Sequence, residues 1–279
     1  MLEDERTPCI DLPLLPLELQ CISQFMNRLA TPVLLDSQIE EFNRDGLLHV
    51  PGGFGTENMA LIEGWTTELA ELPEITGRQW VFHEESQTDQ GTDLVSRIEK
   101  MSPFHSGFAD LAHALMGPAG QLLGEEAVLF KEKINFKMPG GDGFKPHQDS
   151  QAGWEDYAPY FITIMVCIDE ANLENGCLQV VPGKQNRVLY RKWEPLTDDD
   201  LADMDFQPTP TLPGDLVLFD SYTPHYSEPN LSTSIRRLYF ATYNKASAGN
   251  YFDRYHDDKY KNYPPDIDRD PNRKYVFRV

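Results

Sequence analysis

The chain has 279 residues, 40% hydrophobic and 25% charged, enough apolar material for a large core and too much for wholesale disorder. Its 45 acidic residues outnumber the 24 basic ones and give a net charge of −21. A field of that sign repels phosphate backbones and anionic lipid surfaces, so nucleic-acid and membrane-surface partners are set aside. The start MLEDERTPCIDLPLL lacks the basic opening and apolar stretch of a signal peptide. No run approaches the ~18 uninterrupted apolar residues of a membrane span. Cys9, Cys21, Cys167 and Cys177 form no CxxC pair and read as reduced thiols, so the expected compartment is the cytoplasm.

In chain order, residues 1–34 carry Pro8, Pro13, Pro16 and Pro32 around short apolar clusters, the pattern of an extended arm. Its Leu14, Leu15 and Leu17 leave two readings open, packing onto the chain's own body or pairing in a homodimer. Asp36 is expected to cap a helix through Ile39 and Phe42, which ends at Asp45-Gly46 before a strand at Leu47–Val50. Helical spacing recurs at 57–71, through Leu61, Trp65 and Leu69, and at 106–116, through Phe108, Leu111 and Leu115. From Gly124 the texture changes to short β-branched and aromatic segments at 127–137, 160–168, 177–181, 215–220 and 237–243, punctuated by Gly and Pro. Strands at such intervals with helices gathered on the N-terminal side predict a mainly β, α+β domain over 35–279. The expected architecture is a double-stranded β-helix, a jelly-roll or cupin-like barrel with flanking N-terminal helices. Residues 245–279 read as an irregular wrap.

Among seven histidines, His49, His83, His105, His113 and His256 read as structural or solvated. His147-Gln148-Asp149 differs: residues two apart on an extended segment point to one side, so an imidazole and a carboxylate can converge on one ion. HxD alone has little specificity and equally suits a capped turn. His225, just past the 215–220 strand, offers a third ligand, and two histidines with one carboxylate form the facial triad of non-haem Fe(II), with positions left open for a cosubstrate and O2. Arg236 follows eleven residues later at the start of RLYFATY, which reads as a buried strand. A guanidinium aimed into a barrel needs an anion, and a bidentate carboxylate suits it. Arg237 should face the opposite way.

The strings KINFKMPGGDGFKPHQDSQAGW, FITIMVCIDEANLENGCLQVVPGK and GDLVLFDSYTPHYSEPNLSTSIRR together resemble the phytanoyl-CoA dioxygenase family of Fe(II)/2-oxoglutarate oxygenases, over most of 35–245. The resemblance implies iron on His147, Asp149 and His225, and the far carboxylate of 2-oxoglutarate on Arg236 and Ser227. It also suggests Asn135, Thr163 and Lys133 as further cosubstrate contacts. Lys133, Asn135 and Lys137 share a strand face; the alternative for the two lysines is solvation on the outer side. Asn175-Gly176 is assigned a turn. PGGDGF at 139–144 is either a flexible cover or an ordinary turn, and Trp154 and Tyr157 are either pocket walls or core. An aspartate at 149 argues against halogenation, which needs a small residue there.

The resulting expectation is hydroxylation of a C–H bond in a small-molecule substrate. KINFKMPGG and the C-terminal tail resemble a branch of the family that hydroxylates 2-aminoethylphosphonate, which suggests a small polar substrate. Competing readings are a tailoring dioxygenase of secondary metabolism, with desaturation or ring formation as alternatives, and a non-catalytic cupin-like metal- or ligand-binding protein. Arg236 discriminates, since a passive metal site has no use for a carboxylate clamp.

Overall fold

The computed structural model describes residues 29–183 and 188–275; Cys9, Cys21 and Leu14, Leu15 and Leu17 of the arm lie outside them. The described end of the arm packs on the body. Leu29 and Leu34 are buried, and the Gln121 amide exchanges hydrogen bonds with the Leu34 backbone at 2.8 and 3.0 Å.

Helix α1 (Asp36–Asp45) has Leu35 rather than Asp36 at its cap position. The Gln38 side chain accepts the Leu35 N–H at 2.9 Å, and Asp36 takes the first turn, where the helix dipole favours an acid. Gly46, at φ 67°, ends the helix and hands over to β1 (Leu47–Val50). Helix α2 (Thr56–Glu71) follows as expected, and α3 (Ser106–Leu123) runs nearly two turns past 116, through a buried Pro118.

The remaining strands are β2 (Trp80–Glu85), β3 (Asp93–Glu99), β4 (Ala127–Lys137), β5 (Phe144–His147), β6 (Ile162–Cys167), β7 (Leu178–Val180), β8 (Gln207–Thr209), β9 (Leu216–Asp220), β10 (His225–Ser227) and β11 (Arg236–Lys245). They form two antiparallel sheets, β1-β9-β6-β11-β4-β3-β2 and β5-β10-β7-β8. The β-strand alternation sorts the side chains of the large sheet. Ile162, Ile164 and Val166 of β6 and Tyr239, Ala241 and Tyr243 of β11 pack with Phe42, Ile62, Phe108 and Leu111 of the helices on its outer face. Met165, Cys167, Leu238 and Phe240 point inward and meet Leu178 and Val180 of the small sheet. This is the jelly-roll predicted from the strand pattern, with helices on one side and the inter-sheet space as the place where a site can form.

Two expectations are corrected. The β2–β3 hairpin was not anticipated, because HEE and DLVSRIE carry charges that conceal their alternation. The C-terminal stretch is not wholly irregular: residues 252–262 form helix α4 (Phe252–Asn262), which buries Tyr255 and His256 and sends Lys259 to Glu99 of β3 at 2.5 and 2.8 Å. No helix among the described residues is long and apolar enough to cross a membrane.

Candidate active site

His225 does not merely trail β9. It opens β10 in the other sheet, directly opposite His147 at the end of β5, with ring centroids 4.3 Å apart. Gln148 is extended (φ −110°, ψ 136°), which returns Asp149 to the side of His147. The Gln148 amide itself faces the interior. It donates to the carbonyls of Val188 (2.8 Å) and Tyr222 (2.7 Å) and accepts the Tyr190 N–H (3.0 Å), locking the turn that presents its two neighbours. Ligand atoms of His147, Asp149 and His225 lie within 4.8 Å of one another, close enough to share one ion.

The protonation of the three suits a metal. Nδ1 of His147 lies 2.7 Å from the Lys145 carbonyl and Nδ1 of His225 lies 3.0 Å from that of Thr223. A carbonyl only accepts, so each Nδ1 carries the proton and each Nε2 keeps its lone pair. Burial, then the proximity of His225, pushes the His147 imidazole down to about 3, and burial also lowers His225. Both rings are therefore neutral, the form in which an imidazole can bind a metal. Burial alone would raise Asp149, but nearby cations, Lys131 foremost, outweigh it and hold the carboxyl below its ordinary range. Thr163 on β6 donates to Asp149 Oδ2 at 3.2 Å and lies 3.0 Å from the hydroxyl of Thr242, which fixes the carboxylate's rotation. Thr163 thus stands beside the acid.

Arg236 opens β11 on the same cavity wall, 2% exposed. Its Nε has no hydrogen-bond partner, and no carboxylate lies within 4.0 Å among the described residues. Burial lowers the guanidinium to about 10, which still leaves it charged. Arg237 faces the other way, into a bidentate pair with Asp169 at 2.7 and 2.8 Å. Ser227, two residues after His225, lines the cavity and accepts from Lys137 Nζ at 2.8 Å. Lys137 is buried rather than solvated and also donates to the Glu228 carbonyl at 2.5 Å. Burial, then Arg236, lowers its ammonium to about 6. Asn135 lines the cavity with its Oδ1 unpartnered.

Lys133 also faces the cavity and not bulk solvent, its ammonium 5.1 Å from the Phe144 ring centroid and 5.3 Å from that of Phe240. All eight residues expected at the site, His147, Asp149, His225, Arg236, Ser227, Asn135, Thr163 and Lys133, therefore border one cavity. Sequence reasoning missed Lys131 and Thr242 on the same walls. Lys131 was within reach, since it continues the alternation of 133, 135 and 137 by one step.

Neighbouring segments resolve the readings left open. Trp154 is core, packed on Phe130 and Phe161, while Tyr157 is part-buried and donates to Asp258 at 3.0 Å. The 139–144 segment is anchored: Gly140 accepts from Gln87 N–H and donates to Asn230, which donates back to Gly141. Asn175 clasps its own turn through Asn172 and Glu170, and Gly176 has φ 71°. A Cβ there would fall 2.0 Å from the Glu228 carbonyl oxygen. His49 and His83 sit in exposed or half-buried acid pairs, with Asp215 and with Glu74 and Asp93.

The profile of the family described as phytanoyl-CoA dioxygenase (PhyH) matches residues 42–238. The chain is 39% identical over 242 residues to a 2-aminoethylphosphonate dioxygenase of an uncultured bacterium, spanning 85% of this chain and 92% of that one. It is 35% identical over 234 residues to a methylphosphonate hydroxylase of Gimesia maris, spanning 82% and 88%. Among solved structures, EctD from S. alaskensis with 2-oxoglutarate and 5-hydroxyectoine superposes with a TM-score of 0.67 at 23% identity, covering 77% of each chain. SnoK, the carbocyclase from nogalamycin biosynthesis, does so with 0.62 at 19%, covering 79% of this chain and 87% of that one. With a profile match over most of its length and relatives at these identities, the chain belongs to the phytanoyl-CoA dioxygenase family of oxygenases.

Proposed function

We propose that the chain is an Fe(II)/2-oxoglutarate-dependent dioxygenase that hydroxylates a C–H bond of a small phosphonate. The observation that carries the reading is the pairing, in one cavity, of a two-histidine, one-aspartate cluster with a buried guanidinium that has no acid partner among the described residues. The cluster fits non-haem Fe(II), which takes such a facial set and keeps positions open. The guanidinium fits the far carboxylate of the keto acid, because a fully buried arginine is otherwise an uncompensated charge. A passive cupin-like site accounts for the cluster and not for Arg236.

When bound, iron and 2-oxoglutarate supply with O2 the oxidising chemistry that turns C–H into C–OH while the keto acid becomes succinate and carbon dioxide. The protein's share is placement. His147 and His225 offer Nε2 because their Nδ1 protons are held by backbone carbonyls. Asp149 is oriented by Thr163. Arg236, with Ser227 on the same cavity wall, would hold the far carboxylate of the keto acid, and the apolar side chains of Leu178, Leu238 and Phe240 on the cavity walls would help to keep water out. The phosphonate lean rests on the two relatives whose names carry that substrate class and whose lengths this chain nearly spans; the likeness to the carbocyclase is one of fold.

The test is anaerobic titration of the protein with Fe(II) and then 2-oxoglutarate, followed by the visible charge-transfer absorption of the chelate. The band should form, and admission of O2 with 2-aminoethylphosphonate should yield succinate and a hydroxylated phosphonate. Bound iron without the band would return the chain to the passive metal-binding reading.

A further inference from the structure

The cosubstrate occupies one end of the cavity in this reading, and the other end carries charge that it does not use. The β4–β11 register sets Arg236 opposite Lys137 and Thr242 opposite Lys131. Six residues of strand separate these ends, roughly 20 Å at ~3.3 Å per residue. A five-carbon diacid that chelates the metal and meets Arg236 has no carboxylate left for Lys131. Lys131 stands on the Asp149 side, where its cross-strand neighbour Thr242 meets Thr163. Its ammonium lies 4.1 Å from the Trp154 ring centroid, over an indole clamped by Phe130 and Phe161. Among the described residues neither Lys131 nor Lys133 has a carboxylate within 4.0 Å. Aromatic faces hold an ammonium in place without neutralising it.

Charge matching identifies what the lysines await. Taken as a sum, Arg236 and Fe(II) bring three positive charges against the three negative ones of Asp149 and 2-oxoglutarate, and the imidazoles are neutral. Two ammonium groups remain, the complement of a dianion, on a chain whose overall charge is −21. We propose that Lys131 is the substrate-recognition cation of this site, its ammonium donating to a phosphonate oxygen while Lys133 supplies the second charge. This assignment rests on the oxygenase reading above and adds to it the residue that selects the substrate's anionic group.

The experiment uses the protein loaded with Fe(II) and 2-oxoglutarate without oxygen, with 2-aminoethylphosphonate as the probe and perturbation of the charge-transfer band as the readout. Lys131→Met keeps the aliphatic stem over Trp154 and removes the charge; Lys131→Arg restores a charge. The Met variant should still form the band, which shows that it is folded and loaded, and the phosphonate comparison is made at a 2-oxoglutarate concentration that saturates each variant. The Met variant should need roughly 10- to 100-fold more phosphonate, the worth of one charge-assisted hydrogen bond, and the Arg variant should recover most of that loss. Wild-type phosphonate affinity in the Met variant overturns the assignment alone, as does a wild-type band that no phosphonate perturbs. Absence of the band from the wild type overturns the underlying reading and the assignment with it.

Discussion

Arg236 sets charge against burial, with no carboxylate within 4.0 Å among the described residues, and the proposed 2-oxoglutarate would resolve the conflict. Desolvating a guanidinium without a partner costs stability that the unliganded fold must absorb. Arg236→Leu should therefore yield a protein at least as stable as the wild type, with a melting temperature higher by ~2–4 °C for each kcal/mol recovered. Its 2-oxoglutarate affinity should drop ~100-fold while iron still binds. Thermal scans with and without the keto acid would check both; a destabilised variant would contradict the unpaired-charge reading. Lys133 makes a related prediction about pH. Burial first, then Lys131 and Arg97, lowers its ammonium to about 7, against the opposing pull of Asp149 and Glu99. Between pH ~7 and the ordinary lysine value near 10.4 the unfolded chain holds a proton that the unliganded fold lacks, so this residue's contribution to stability rises with pH across that window. A bound dianion restores the proton, so phosphonate affinity should fall as pH rises above 7. Calorimetric titrations at pH 8 in two buffers of different ionisation enthalpy should register proton uptake, and zero uptake would contradict the depressed ammonium. His147 with Asp149, and His225 with Arg236, were legible as two pairs because each spacing is local, and the family resemblance implied that the pairs meet. Lys131 and Thr242 were not, because their place depends on which strands lie beside them.

At the scale of elements, β3 and α4 are joined by charge rather than by an apolar seam. Glu99 is buried between Lys259 of α4 and Arg97, at 2.5 and 2.8 Å. Burial would raise its carboxyl, but the two cations outweigh burial and hold it far below the carboxylate range. Its contribution is present at neutral pH and disappears only as pH falls through that depressed value. Glu99→Gln removes the buried acid that pairs with Lys259 and should cost ~3–5 kcal/mol, measured by urea unfolding; a loss under ~1 kcal/mol, the worth of an exposed pair, would show that the cluster is solvated. The same chemistry explains why these elements escaped sequence reading. Strand β3 reads DLVSRIE and α4 reads FDRYHDDKYKN, patterns that look exposed until each charge meets its partner. Strands β8 and β10 have three residues each, too few for alternation to register. Strands β4, β6, β9 and β11 were visible because both their faces are covered.

For the whole molecule, a net charge of −21 surrounds a cavity whose walls are cationic. The outer field repels dianionic ligands at long range, and exposed charges are screened beyond a Debye length of ~8 Å at physiological salt. Raising ionic strength from ~10 mM to ~150 mM should therefore increase kcat/KM for a phosphonate, whereas a steady fall would mean that the lysines, and not the outer field, govern approach. The sequence by itself determined the sheet-rich architecture, the flanking helices, the HxD pair and the His225–Arg236 pair, because apolar periodicity and short-range spacing are carried by neighbours along the chain. Only the tertiary structure decided that Lys131, Lys133 and Lys137 turn inward, that Thr163 stands on Asp149, and that Trp154 is core. Those outcomes depend on strand register and on which of two sheet faces meets solvent, and both are settled by contacts between segments distant in sequence.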